Sequence, residues 1–138
     1  MKNIIRKILK EESDEWGWIQ DNSISGEELR QLLLDTGTTS IPFDRVSGDL
    51  DLVGTKIQSL GNLQSVGGHL NLRRTPIKDL GNLQSVGGYL YLWGTPIKSL
   101  GNLQSVGGSL DLGGTPMSKK YSEQEIRQMV QVNGDIYL

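Results

Sequence analysis

Few side chains in this sequence can do acid–base or metal chemistry. It has one histidine, His69, and no cysteine, and the acidic residues nearest to His69 in the repeat pattern set out below are Asp49, Asp51 and Asp111. A catalytic site needs a nucleophile or an acid–base pair within reach of an orienting partner. Asp49 and His69 fall at equivalent positions of adjacent strands and could pair, but no third group accompanies them and the face that carries them would be open to water. Asp49, Asp51, His69 and Asp111 are too few and too dispersed to enclose a metal ion. The recurring Gly-Gly pairs precede strands instead of opening helices, unlike phosphate-binding loops. The expectation is a non-enzymatic protein without a cofactor.

Recognition is the other chemistry on offer. Tyr89, Tyr91 and Trp93 alternate along one segment, flanked by His69, Asn71 and Arg73 on the preceding repeat, by Asp51 on the repeat before that and by Asp111 on the next. Aromatics with polar tips beside an arginine have the composition of a binding hot spot. Drift at outward positions is the bland alternative, since aromatics suit β geometry; three exposed together are uncommon without a use. Bases could stack on Trp93 and Tyr91 beside Arg73 and Arg74. Asp49, Asp51, Asp111 and Asp135 oppose that field, and the formal charge is -2, so nucleic acid is not the expected partner.

The elements that position these residues are repeats. Gly-Asn-Leu-Gln-Ser-Val-Gly-Gly occurs unchanged at Gly61 to Gly68, Gly81 to Gly88 and Gly101 to Gly108, at a period of twenty residues. A fixed period of this length marks a solenoid, in which each copy is one coil. After each copy comes an alternating stretch, with Leu90 and Leu92 pointing one way and Tyr89, Tyr91 and Trp93 the other, as a half-buried strand requires. Gly94, Thr95 and Pro96 then break it, and Ile97, Leu100, Leu103 and Val106 follow at threes, which suits a 3₁₀-like or irregular return path. Twenty residues leave no room for a full crossover helix, so consecutive strands should stack as neighbours in a parallel sheet.

The text Leu-x-Leu-x-x-Thr-x-Ile, at Leu70 to Ile77 and Leu90 to Ile97, resembles the conserved segment of leucine-rich repeats, most closely short bacterial and phage forms with Gly-Gly-x-Leu-x-Leu-x-Gly-Thr. The resemblance covers Val46 to Met117. It implies leucines in the core, a concave face lined by the strands, and Thr55, Thr75, Thr95 and Thr115 in the column whose side chains hydrogen-bond the backbone of adjoining coils. One departure is that Val66, Val86 and Val106 lie four positions before the first Leu, where the family has three, so that Gly67, Gly87 and Gly107 fall where a Leu is expected. A parallel β-helix is the structural alternative.

Both ends depart from the period. Ser25 with Glu28, and Leu29, Leu32 and Leu33 on one face, predict a helix over Gly26 to Asp35 closed by Gly37. Ser122 with Glu125, and Ile126, Met129 and Val130, predict another over Ser122 to Gln131. Val46 to Leu52 reads as the first strand, fed by Ile41 and Phe43, and Val132 to Leu138 as the last, which makes about five strands. Asn3 to Glu11 has a basic amphipathic pattern that can pack on the first coil, fray, or meet a membrane or a partner groove. Met1 to Leu9 is too short and broken for a signal-peptide core, and no apolar run is long enough to span a bilayer.

The expected fold is therefore an α/β solenoid: a helical cap over 1–45, a short leucine-rich-repeat array with a parallel sheet over 46–118, and a capping helix with the last strand over 119–138. The expected function is to hold a protein or peptide partner on the sheet face through His69, Asn71, Arg73, Tyr89, Tyr91 and Trp93, with Asp51 and Asp111 at the margin. Carbohydrate or small-ligand binding on the same aromatics is the alternative. Another is self-assembly through the edge strand Gly134 to Leu138. With no cysteine and no span, a membrane site is not expected and a cytoplasmic one is.

Overall fold

A computed structural model describes residues 23–138. The basic segment Asn3 to Glu11, with Trp16, Trp18 and Ile19 after it, lies outside the described residues. Each coil lays down two short strands on either side of a glycine corner. The order is β1 (Ser23–Ser25), α1 (Gly26–Thr36), β2 (Arg45–Ser47), β3 (Leu50–Asp51), β4 (Ser65–Val66), β5 (Leu70–Asn71), β6 (Ser85–Val86), β7 (Leu90–Tyr91), β8 (Ser105–Val106) and β9 (Leu110–Asp111). Then come α2 (Pro116–Lys120), α3 (Glu123–Met129), β10 (Gln131–Val132) and β11 (Ile136–Tyr137).

All pairings are parallel and in the register of the repeat, for example Val66 beside Val86 and Leu70 beside Leu90. They form two sheets, six strands in the order β1-β2-β4-β6-β8-β10 and five in the order β11-β9-β7-β5-β3. The five-stranded sheet is the one the leucine alternation predicts. The other was not expected, because Val66, Val86 and Val106 read as the end of a return path. Its cause is the identity of the coils: any extended segment of one coil meets an extended copy of itself on the next and can pair with it. The molecule is a parallel-strand repeat solenoid.

The two sheets meet where the hydrogen bonds change direction. Before the corner a coil donates backward, from Gly87 N–H to Val66 and from Gly88 N–H to Gly68. After it a coil donates forward, from Leu90 N–H to Ser109 and from Leu92 N–H to Asp111. The glycines let the corners stack backbone on backbone: a Cβ on Gly87 would overlap the Gly67 carbonyl oxygen, and one on Gly107 that of Gly87. In the terminal coils Ser47 and Asn133 stand in this column.

Inside, Val, Leu, Leu, Ile, Leu and Leu of each of the first three coils form columns, and in the third coil Val86, Leu90, Leu92, Ile97, Leu100 and Leu103 are all buried. At about 2 kcal/mol for each fully buried aliphatic side chain, this continuous core is the main source of stability. The threonine column is buried too. Its hydroxyls do not bridge coils as the family resemblance implies. Each donates to the Leu carbonyl three residues back in its own coil, as Thr95 does to Leu92 at 2.8 Å, and the same carbonyl accepts the threonine N–H at 3.1 Å. The hydroxyl thus closes the sharp turn after the strand, which a one-donor group can satisfy completely. The return path is irregular, with a tight turn where Leu103 N–H meets Leu100 at Gly101, φ 58.

Helix α1 extends to Thr36 and ends on Gly37 in the left-handed conformation, φ 69, as expected. The Ser25 side chain accepts the Glu28 N–H. The Ser25 N–H is not taken by Glu28, whose carboxylate accepts the Ser25 hydroxyl instead. The second predicted helix forms as α3, capped by Ser122 with both halves of the capping box, but it ends at Met129 because Val130 already has extended backbone; the short α2 before it, capped by Thr115, was not predicted. Ile126 is buried but Met129 is exposed, so the apolar face is narrower than the spacing implies.

Two arginines take up the carbonyls that the ends of the array leave open. In the six-stranded sheet, Val106 and Gly108 accept from Asn133 and Gly134, so Val132 and Gly134 are the acceptors an additional coil would use. Arg127 from α3 donates to both, at 2.9 Å each. At the other end and on the other sheet, Arg30 from α1 donates to the carbonyls of Asp51 and Val53 at 2.7 Å each. Replacing Arg127 by Ala should lower unfolding stability by about 1–2 kcal/mol in urea melts, as for lost charged hydrogen bonds that water partly replaces. Gly87→Ala should cost more, about 3 kcal/mol, because the obstacle is backbone. If Gly87→Ala proves the milder change, the corner does not stack as described.

Candidate binding face

The outward residues of the five-stranded sheet form two columns, and Val53, Arg73, Trp93 and Gly113 make a third just past the strand ends. The first, just past the glycines, is Asp49, His69, Tyr89, Ser109 and Asp135. The backbone N–H here belongs to neither ladder, because the bonds reverse at the corner. The side chain of the preceding coil supplies the acceptor: Asp49 Oδ1 takes the His69 N–H at 2.8 Å, His69 Nδ1 takes the Tyr89 N–H at 2.8 Å, and Ser109 Oγ takes the Asp135 N–H at 3.0 Å. Asp49 therefore meets the His69 backbone and not its ring, so the pair considered for proton transfer does not form. Accepting at Nδ1 places the neutral imidazole proton on Nε2. The second glycine of each pair makes room for these side chains, since a Cβ on Gly88 would strike the His69 ring and one on Gly108 the Tyr89 ring.

The second column is Asp51, Asn71, Tyr91, Asp111 and Tyr137. Asp51, Asn71 and Asp111 each turn back to accept the N–H two residues on, from Val53, Arg73 and Gly113, at 3.0, 3.2 and 3.0 Å. These are Asx turns that fix the end of the strand. Both columns thus have a backbone duty, and residue identities that looked free to vary are restricted to side chains with an acceptor close to the main chain.

Tyr89 and Tyr91 break that rule in the same coil. A tyrosine places only ring atoms where the acceptor should be, and among the described residues no acceptor takes the N–H of Ser109 or Trp93. The rings instead pack on one another. His69 and Tyr89 lie edge to face with centroids 5.0 Å apart, Tyr89 and Tyr91 likewise at 5.8 Å, and the Arg73 guanidinium sits 4.1 Å from the centre of the Tyr91 ring. Tyr89 and Trp93 are each 43% exposed. No terminal helix among the described residues folds over them.

All of the expected residues stand on this face, in two parts. Asp51, Asn71, Arg73, Trp93 and Asp111 line a shallow groove of about 550 Å³ together with Val53 and Arg74. His69, Tyr89 and Tyr91 form the aromatic ridge beside it. Asp51 is partly withdrawn, its Oδ1 lying 3.7 Å from Arg30.

Two residues outside the expected set join the face. Arg74 lies 5.3 Å from the centre of the Trp93 ring and has φ 60, in the column where Gly54, Gly94 and Gly114 have φ 84, 75 and 69. A left-handed non-glycine residue costs about 1 kcal/mol. Tyr137, 54% exposed, extends the ridge. Its phenol is held above the ordinary value of 10.0, first by the negative charge of Asp135, then by lost hydration, by its hydrogen bond to Asp135 and by nearby Tyr89, while Ser109 acts in the opposite sense. The signal for both residues was in the columns, as an arginine in a glycine position and an aromatic in an Asx position.

Among the described residues there is no group of three or more His, Cys, Asp or Glu side chains placed to hold a metal ion. Nor is any helix among them long and apolar enough to cross a membrane. No protein-family model, curated protein or solved structure matches the chain.

Because the Tyr91 side chain leaves the Trp93 N–H without an acceptor, Tyr91→Asn should restore the Asx turn. Hydrogen exchange at Trp93 should slow, and stability should stay within about 1 kcal/mol of the parent, one recovered hydrogen bond offsetting the lost ring contacts. Asp135→Asn should move the Tyr137 absorbance titration down toward 10.0; an unmoved midpoint would mean that Asp135 is not what raises it.

Proposed function

We propose that the chain is a non-enzymatic binding module of leucine-rich-repeat type, its terminal helices serving as caps, which holds a protein or peptide partner on the outward face of the five-stranded sheet. The observation that carries this reading is the third coil. In the other inner coils both backbone-serving columns have side chains that accept: Asp49, His69 and Ser109 in one, Asp51, Asn71 and Asp111 in the other. Tyr89 and Tyr91 forgo both bonds in a single strand. Large exposed rings that give much contact area at little entropy cost are what a partner surface uses.

Sugar stacking is less well supported. A sugar stacks best on an open aromatic face, and one side of Tyr91 and of Trp93 is already taken by Arg73 and Arg74. Affinity capture from the native host with the parent chain and with the Tyr91→Ala, Trp93→Ala double variant tests the proposal. Hot-spot truncations of this kind should weaken binding by at least about 2 kcal/mol, enough to lose the captured partner. Undiminished capture by a folded double variant would falsify the assignment of this face.

A further inference from the structure

Two guanidinium groups on this face have no acidic partner among the described residues. Arg73 lies over Tyr91 and Arg74 over Trp93, while the ion pairs described are Arg30 with Asp51 and Arg127 with Glu123. Asp51 and Asp111 share the groove, but each directs its Oδ1 to a backbone N–H. Arg74 also occupies a left-handed position that glycine fills in the other coils. An array that uses glycine at three equivalent positions has no structural need of arginine at the fourth, so it is the side chain that the position retains.

We propose that Arg73 and Arg74 form a seat for one oxyanion, a carboxylate or a phosphate monoester, on a side chain of a peptide segment lying across β5, β7 and β9. This rests on the partner-binding reading above. A guanidinium stacked on a ring has its plane fixed and its N–H donors at the edges, ready for a paired bond to an oxyanion. Little ordering then remains to be done on binding. The groove, at about 550 Å³, has room for a few side chains and not for a buried domain. Asp51 and Asp111 in the groove, with Asp49 and Asp135 beside it, admit a single anion between the two arginines and repel a chain of phosphates. That favours a peptide over a nucleic acid.

The test uses the full chain, immobilised, and four pools of blocked decapeptides, random except for a central Glu, Gln, phosphoserine or Lys, with a single-stranded DNA decamer alongside. The Glu or the phosphoserine pool should be retained about tenfold above the Gln and Lys pools, and the stronger of the two identifies the source of the oxyanion. Arg74→Gly should reduce that retention to the Gln level while Tm stays within about 3 °C, since it restores the residue of the other coils. Equal retention of Glu and Gln pools, abolished by the Tyr91→Ala, Trp93→Ala variant, overturns the oxyanion seat and leaves the partner-binding face standing. No pool retained by the parent chain, or retention untouched by any variant, overturns both. DNA retained above every peptide pool also overturns the seat, and a large fall in Tm for Arg74→Gly would make Arg74 a structural residue.

Discussion

The structure depends on stacking one coil on an identical coil at a glycine corner. There the backbone passes from donating backward to donating forward, and the two ladders meet. Between the inner coils a Cβ would overlap the carbonyl of the corner before it, so the repeated Gly-Gly sets the spacing there. Once that contact sets the register, the valines, leucines and isoleucines have no choice but to form columns. Each column then buries its apolar surface against its own copies.

A stack of this kind leaves open hydrogen-bonding groups at both ends, and the two sheets leave them with opposite polarity because the ladders run in opposite senses. The chain answers with the same chemistry twice. Arg30 reaches the first coil on the five-stranded sheet and Arg127 the last coil on the six-stranded sheet, each covering two carbonyls. A guanidinium suits this because its donors are held in a fixed fork and can take two neighbouring carbonyls together. The threonine column does comparable work inside, closing each post-strand turn within its own coil.

The reversal at the corner also determines what the outward face can carry. It strands one N–H per coil, and the end of the strand strands another, so two columns are held to residues with a short-range acceptor. Against that background the third coil stands apart. Tyr89 and Tyr91 present ring surface and do not serve the backbone, and Arg73, Arg74 and Trp93 continue that surface into a groove. The departure is confined to one strand and its immediate neighbours, as expected for a local site placed on a scaffold that is otherwise uniform.

The sequence by itself determined the repeat, its period, the core columns and the strand after each glycine pair, because each is a local pattern copied several times, and the start and end of α1, because its caps are local signals. It also showed where the copies differ, and every expected site residue stands on one face. Only the tertiary structure decided that the Ser-Val segment pairs into a second sheet and that Asp49 and His69 serve the main chain of the next coil. Those outcomes depend on what the neighbouring coil presents at each position, which no single coil contains. Lateral hydrogen bonding between copies is a property of the stack, and the same stack separates the residues that hold the solenoid from the few whose side chains are left exposed on the outward face.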